Sequence, residues 1–293
     1  MSIVKSPSAR AAFTLIHLSD FHLCRPAGAG SAAFLNKRLL SLLSWRIRRQ
    51  KEHSPDTLER LSRAVAAEAA DAVAVTGDLT HLALPGEFEE VHQRLGPLGP
   101  PERVFVVPGN HDALVRVAWG EGPGRWSEYM APDASNDKTR FDFPTLRVRE
   151  PIALVGITSA CPTRPLSAAG RIGAAQLERL EETLTASARR KLFRVLLIHH
   201  PPVAGMVSRR KALEDADRFA AVIRRTGAEL ILHGHCHRLS RGEMSGPRAP
   251  VPVLGVSSAT ATSAHPLKRA AFRRICIAGT AHGWQIQVDD HVV

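Results

Sequence analysis

Short apolar runs of strand length recur along this chain, and five of them end in residues of the kinds that bind metal ions. FTLIHL (13–18) runs into Ser19, Asp20, Phe21 and His22; AVAV (72–75) into Gly77 and Asp78; RVFVV (103–107) into Gly109, Asn110, His111 and Asp112. RVLLI (194–198) leads to His199 and His200, and LIL (230–232) to His233, Gly234, His235 and His237. In open α/β sheets the carboxyl ends of the strands share a rim where ligands bind. Residues as distant as Asp20 and His237 are therefore expected to converge, and every later expectation depends on that convergence.

Between the runs lie helical periodicities: SPDTLERLSRAVAAEAA (54–70), AAQLERLEETLTASARRK (174–191) and DADRFAAVIRRTG (215–227), the last closed by Gly227. A further apolar run, IALVGI, occupies 152–157. Strands alternating with helices predict a layered α/β domain. After Pro247 the pattern changes to PVPVLGVSSAT, RRICIAG and GWQIQV, which reads as a β-rich portion packed as an added sheet. At 293 residues and 44% hydrophobic, the chain can bury a large core. No linker, repeat or low-complexity tract divides it, so one domain over 1–293 is expected.

Each motif has an ordinary reading beside the metal reading. Asp-x-His after a strand is also a turn, and Gly-Asn is a common turn pair. In Gly-His-x-His the two rings reach one side only if the backbone bends, which the glycine permits. The recurrence at five strand ends decides for metal binding. Carboxylate, amide and imidazole ligands suit Mn, Fe or Zn rather than an all-oxygen calcium cage. Cys236, between two histidines, is not expected to ligate. The four cysteines lie far apart without a C-x-x-C pair, which fits a reducing compartment. With neither an apolar leader at the N-terminus nor a run of membrane-spanning length, a cytoplasmic location is expected.

Read in order, D-x-H (20–22), G-D (77–78), G-N-H-D (109–112), His199 and G-H-x-H (234–237) resemble the blocks of the calcineurin-like metallophosphoesterase family. That resemblance covers Asp20 through His237. It implies an α/β fold, a four-layer αββα sandwich of two mixed sheets flanked by helices, holding two divalent or trivalent transition metals (Mn, Fe or Zn). By the resemblance one metal takes Asp20, His22, Asp78 and His237, the other takes Asp78, Asn110, His199 and His235, and Asp78 bridges them. His199 rather than His200 is the implied ligand, because the family places this histidine two residues before a proline, here Pro201; His200 and His233 then lie behind the ligands. Within the family, the cyclic nucleotide phosphodiesterase branch shares the H-H-P-P run and the G-H-x-H close. His81, where relatives often carry an acidic or amide residue, and a long insertion after His22 depart from the commonest pattern.

Paired cations lower the pKa of a bound water from about 15.7 toward 7, so attack on a phosphodiester by a metal-bridging hydroxide needs no Ser or Cys nucleophile. His111, beside Asn110 and not itself assigned to a metal, is the expected catalytic proton donor to the leaving oxygen. Asp112 either orients His111 or caps the segment that follows. His17, His53, His92, His265, His282 and His291 lack partners in sequence and read as surface or satisfied core groups.

The insertion, at about 31–54, is the most individual part of the chain. In AFLNKRLLSLLSWRIRRQKEH (33–53), Leu35, Leu39, Leu42, Leu43 and Ile47 keep helical spacing, and six basic residues stand against Glu52. One reading is a solvated helix whose leucines pack on the domain. Another places it on an anionic membrane, or over the site of a lipid-linked phosphoester or pyrophosphate of the UDP-diacylglucosamine type, with Lys37, Arg38, Trp45, Arg46 and Arg49 as candidate membrane or substrate contacts. Nucleic acid is disfavoured, because no basic tract is interleaved with aromatics. The net charge of +11 favours anionic partners in general. The leading expectation is a binuclear phosphodiesterase for a cyclic nucleotide-like substrate. The alternatives are a lipid-linked phosphoester hydrolase at the inner face of the membrane and a non-catalytic interaction module on the same fold.

Overall fold

The alternation of strand and helix patterns becomes two facing sheets with helices outside them. The computed structural model describes residues 12–26, 29–281 and 283–293; the N-terminal expectation over 1–11 and the reading of His282 fall outside these. The strands are β1 (Phe13–Leu18), β2 (Ala72–Val75), β3 (Val104–Val106), β4 (Thr145–Arg149), β5 (Ile152–Gly156), β6 (Phe193–Leu197), β7 (Leu230–His233), β8 (Ser240–Met244), β9 (Val251–Gly255), β10 (Ala271–Thr280) and β11 (Gly283–Val292). The α-helices are α1 (Lys37–Ile47), α2 (Pro55–Ala67), α3 (Pro85–Leu95), α4 (Ala174–Arg189) and α5 (Ala216–Thr226).

One sheet has the order β11-β10-β1-β2-β3, the other β4-β5-β6-β7-β9-β8. Both are mixed: β1, β2 and β3 are parallel, as are β5, β6, β7 and β9, while β4, β8, β10 and β11 pair antiparallel. The period of two along a strand explains the layering. In β6, Val195 and Leu197 join the core shared with β1, β2 and β3, whereas Leu196, with Ile198 just beyond the strand, joins the cluster made with Leu180 and Leu184 of α4 and Phe219 and Ile223 of α5. On the other side, Leu58, Leu61 and Val65 of α2 and Phe88, Val91 and Leu95 of α3 pack against the first sheet. The result is the expected αββα sandwich.

The expectation of an added C-terminal sheet is corrected. β9 inserts between β7 and β8, and β10 lies along β1, pairing Phe13 with Ile277 and His17 with Arg273. The edge of β1 would otherwise expose unpaired backbone groups, and β10 covers it while burying Phe272, Ile275 and Ile277.

Between β1 and α2 the insertion forms a short 3-10 turn (Ser31–Phe34), then α1, then a second turn (Arg49–Lys51). Asn36 caps α1 by accepting from the Arg38 amide at 2.9 Å. Beyond the second turn the chain is stitched to the C-terminal segment: the Ser54 amide donates to the Thr260 carbonyl at 2.8 Å, and the Thr262 amide to that of Glu52 at 3.0 Å. The reading in which the leucines pack on the domain is also corrected. Among the leucines of α1 only Leu42 is buried, whereas Leu35 is 85% exposed, Ile47 80%, and Leu39 and Leu43 46% each.

Candidate metal centre

The loops after β1, β2 and β7 carry their site residues on unusual backbone. Of the nine non-glycine residues with positive φ among those described, five are Asp20, His22, Asp78, His235 and His237. Asp and His tolerate this region better than most residues, yet each such position still costs about 1–3 kcal/mol. Interlocking hydrogen bonds hold the geometry: the Asp20 amide donates to the Gly77 carbonyl and the His22 amide to that of Asp78, both at 2.9 Å. Two glycines are required by close approach. A Cβ on Gly109 would overlap the Asp78 carboxylate, and one on Gly234 would overlap Ser19 Oγ and the Asp20 carboxylate.

Nitrogen and oxygen ligand atoms converge in two groups that share Asp78. Those of Asp20, His22, Asp78 and His237 lie within 4.8 Å of one another, as do those of Asp78, His199 and His235. In the first group His22 Nε2 stands 2.8 Å from His237 Nε2, which is 3.2 Å from Asp20 Oδ1. In the second, His199 Nε2 is 3.2 Å from Asp78 Oδ2, from Asn110 Oδ1 and from His235 Nδ1. His199 Nδ1–H donates to the Thr76 carbonyl at 2.7 Å, which turns Nε2 toward the site. All seven residues singled out by the sequence are thus brought together, from strand ends of both sheets.

Electrostatics prepares these groups. Burial drives the pKa of His22 and His235 well below the usual imidazole value, so both keep free lone pairs. Burial also lowers His199, but the Asp78 and Asp20 carboxylates outweigh it and raise this group to about 9. Burial alone would raise Asp20 and Asp78. The neighbouring imidazoles, His237 and His22 for Asp20 and His199 and His111 for Asp78, hold both below the ordinary carboxylate range. Asp20 Oδ1 and His235 Nε2 are buried without a hydrogen-bond partner. Two carboxylates, an amide oxygen and four imidazoles, with Asp20 Oδ1 as an unmatched buried acceptor, fit a pair of transition metals.

Around this floor the other predicted residues take distinct places. His111 donates from its backbone amide to Asp78 Oδ1 (2.7 Å) and from Nδ1–H to the His81 carbonyl (2.7 Å), leaving Nε2 toward the cavity and 3.2 Å from Arg49 Nη1. His200 lies behind the ligands, its Nδ1 2.7 Å from Ser159 Oγ and its ring 4.6 Å from that of His235. His233 Nδ1–H donates to the Gly234 carbonyl (2.9 Å), bracing the loop that carries His235. Of the candidate membrane or substrate contacts, three turn inward. Lys37 Nζ donates to Thr163 Oγ1 and the Ser167 carbonyl (2.6 and 2.7 Å), Arg38 to the carbonyls of Leu82 and Ala83 (2.8 and 2.6 Å), and Trp45 packs over His81 and His53 with ring centroids 4.6 and 5.8 Å away. Arg46 is exposed and Arg49 enters the site.

Three residues near the centre take places that the sequence did not assign. Asp112 is fully buried and caps nothing downstream: Oδ1 accepts from the Leu79 amide (3.0 Å), the Thr80 amide (2.8 Å) and Thr80 Oγ1 (3.0 Å), and Oδ2 from the Gly109 amide (2.8 Å). It clamps the loop carrying Asp78 to the loop carrying Asn110. His81 stacks on His111 at 4.6 Å. His53, read as an ordinary histidine, sits 4.9 Å from the His22 ring. His17, His92, His265 and His291 do find ordinary partners, in Thr76, Glu128, the Leu267 amide and the Phe272 ring.

A cavity of about 660 Å³ opens over the cluster, with Asp78, Asn110 and His111 on its lining and Arg49, Lys211 and Lys268 around them. Its positive wall above a carboxylate and imidazole floor suits an anionic ligand.

Comparison with known proteins agrees with this geometry. The profile of the calcineurin-like phosphoesterase family matches residues 13–239. A probable cyclic nucleotide phosphodiesterase from Rhodococcus erythropolis (strain PR4 / NBRC 100887) is 26% identical over 266 residues, which is 88% of this chain and 74% of that protein. A dimetal phosphatase from Danio rerio superposes with a TM-score of 0.57 at 13% identity, covering 96% of this chain and 98% of that one. The purple acid phosphatase PPD1 from yellow lupin seeds gives 0.60 at 13% identity, covering 98% of this chain and 54% of that one. At these identities the solved structures establish the shared fold alone.

Proposed function

Because the chain belongs to the calcineurin-like phosphoesterase family, we propose that it is a binuclear metal-dependent phosphodiesterase in which residues 1–293 form one catalytic unit. The observation that carries this reading is the pair of ligand clusters sharing Asp78 on the floor of a basic cavity. Asp20, His22, Asp78 and His237 would hold one metal, and Asp78, Asn110, His199 and His235 the other. Such a pair supplies Lewis acidity toward a phosphoryl oxygen and an activated water at neutral pH.

The chain's own residues do the rest. Arg49 and Lys211 bind and orient the substrate's non-bridging oxygens in the cavity. His111, anchored through Nδ1–H to the His81 carbonyl, presents Nε2 to the leaving oxygen. When substrate draws Arg49 away, the bare Nε2, kept neutral by burial, is free to accept the proton shed by the attacking water and pass it to the leaving oxygen. The cyclic nucleotide-like substrate expectation is supported by the 26% identical relative, which carries that description.

A second reading, a lipid-linked phosphoester or pyrophosphate hydrolase at the inner face of the membrane, is favoured by a specific observation. Leu39, Leu43 and Ile47 form an exposed ridge on α1, with exposed Leu35 just before it, beside exposed Arg46 and Arg48, on the segment whose Arg49 enters the site. No helix among the described residues is long and apolar enough to cross a membrane, so contact would be peripheral.

Turnover of bis-p-nitrophenyl phosphate, cyclic nucleotides and a micellar lipid-linked pyrophosphate, each with Mn²⁺ and with chelator, tests both readings. Metal-dependent hydrolysis lost in Asn110→Ala and reduced in His111→Ala is expected. No hydrolysis of any substrate by the metal-loaded chain favours an interaction module instead. Flotation with anionic vesicles, lost in Leu39→Ser/Leu43→Ser, would select the lipid reading, and its absence in the parent chain would remove it.

A further inference from the structure

We propose that His53 is an additional ligand of the metal position formed by Asp20, His22, Asp78 and His237; this rests on the reading of that cluster as a metal site. His53 comes from the insertion, outside the five motif loops, yet its ring nitrogen lies within 4.8 Å of the ligand atoms of His22 and His237, which themselves belong to that position. Its ring centroid is 5.7 Å from that of His237.

The distances allow a hydrogen-bond relay that leaves one nitrogen of His53 bare. The Asp20 carbonyl can only accept, so Ser258 Oγ, 2.6 Å away, donates to it. Ser258 Oγ, having spent its proton, accepts from Thr260 Oγ1 at 3.0 Å. Thr260 Oγ1, having spent its own, accepts from His53 Nδ1–H at 2.7 Å, with Ser258 Oγ 3.3 Å from the same nitrogen. In this relay the proton is on Nδ1 and Nε2 carries a lone pair. Nε2 is buried and has no hydrogen-bond partner. Metal-bound imidazoles show this arrangement: one nitrogen donates to an oriented acceptor and the other faces the ion. The relay ends on the backbone of Asp20, a residue of the same position, and the pairing of residues 51–54 with 260–262 holds both ends in place. A buried imidazole serving only to pack would leave that lone pair without compensation.

The experiment is metal titration of the full chain after chelator stripping, for the parent, His53→Ala and Thr260→Val. Binding is read by competition with a fluorescent chelator and by the visible absorption of bound Co²⁺, neither of which requires turnover. The parent is expected to take two ions. His53→Ala should weaken one of them by at least about tenfold and shift the Co²⁺ bands of that ion as an imidazole is lost. Thr260→Val, which keeps the imidazole and removes the acceptor of its Nδ1 proton, should act in the same direction by a smaller factor. Two ions bound by His53→Ala with parental affinity and an unchanged Co²⁺ spectrum would overturn the assignment. A parent that binds no ion would instead overturn the metal site itself. If His53→Ala does not fold, judged by its melt in chelator, Thr260→Val alone decides, with parental affinity and spectrum counting against the proposal.

Discussion

Replacing Asp112 by alanine removes both oxygens that clamp the loop of Asp78 to the loop of Asn110. Three of the donors it serves are backbone amides of buried residues, Leu79, Thr80 and Gly109, and none has another acceptor among the described residues; Thr80 Oγ1 keeps a second bond, to the His111 carbonyl at 3.2 Å. An orphaned buried donor costs about 1–3 kcal/mol, so three would approach 9 kcal/mol if the site stayed rigid. Water entering the vacated space recovers part of this, and about 3–5 kcal/mol is expected, at the upper end for single substitutions. Asparagine separates the contributions. Its oxygen can keep the three bonds now made to Oδ1 while its amino group faces the Gly109 amide, so only one bond is lost, at about 1–3 kcal/mol. Urea unfolding followed by circular dichroism, in chelator so that metal binding does not contribute, measures both variants. A loss below about 1 kcal/mol for Asp112→Ala, or an asparagine variant no better than the alanine one, would show that the clamp does not act as described.

Two further outcomes follow from groups near the site. Glu87 Oε2 accepts from the amides of Leu82 (2.7 Å), Leu84 (3.2 Å) and His81 (3.3 Å), and burial outweighs these bonds to raise its pKa from 4.5 to about 7. Between those values the folded chain keeps a proton that the unfolded chain has released, so the contribution of Glu87 to stability should fall as pH rises through that window, by on the order of 3 kcal/mol, and level off above it. Glu87→Gln should flatten this slope in urea titrations at pH 5 and 8, and an unchanged slope would exclude Glu87 as its source. For Arg49, a charged hydrogen bond to phosphate contributes about 1.5–3 kcal/mol, so Arg49→Ala should lower kcat/KM for bis-p-nitrophenyl phosphate by about 10- to 100-fold, with partial recovery in Arg49→Lys; parental kinetics in the alanine variant would confine Arg49 to packing.

Much of this architecture was legible in the sequence. β1 and β2 coincide with their apolar runs, and the ligands follow because the strand ends fix where loops begin. What escaped has physical causes. The destination of the C-terminal strands depends on pairing partners such as β1, far away in sequence, and no local pattern encodes that choice. The sequence left the face of α1 open because its inward residues, Arg38, Leu42 and Trp45, followed by Arg49 of the next turn, are half cationic, whereas its exposed face is leucine-rich. Those arginines turn inward to bare carbonyls and to His111, a demand invisible in hydropathy. Asp112 and His53 escaped because their roles reside in hydrogen bonds to distant backbone and hydroxyl groups.

The stitching of both chain ends to one centre bears on biosynthesis. A ribosome releases Asp20 and His22 well before the serine that braces the Asp20 carbonyl, 238 residues later, and before the strand that flanks β1. Until then the Asp20 carbonyl and the open edge of β1 lack these two partners. A nascent chain halted before Ser258 would therefore carry all seven ligands without the bracing that sets Asp20, deferring selective metal capture until that segment has emerged.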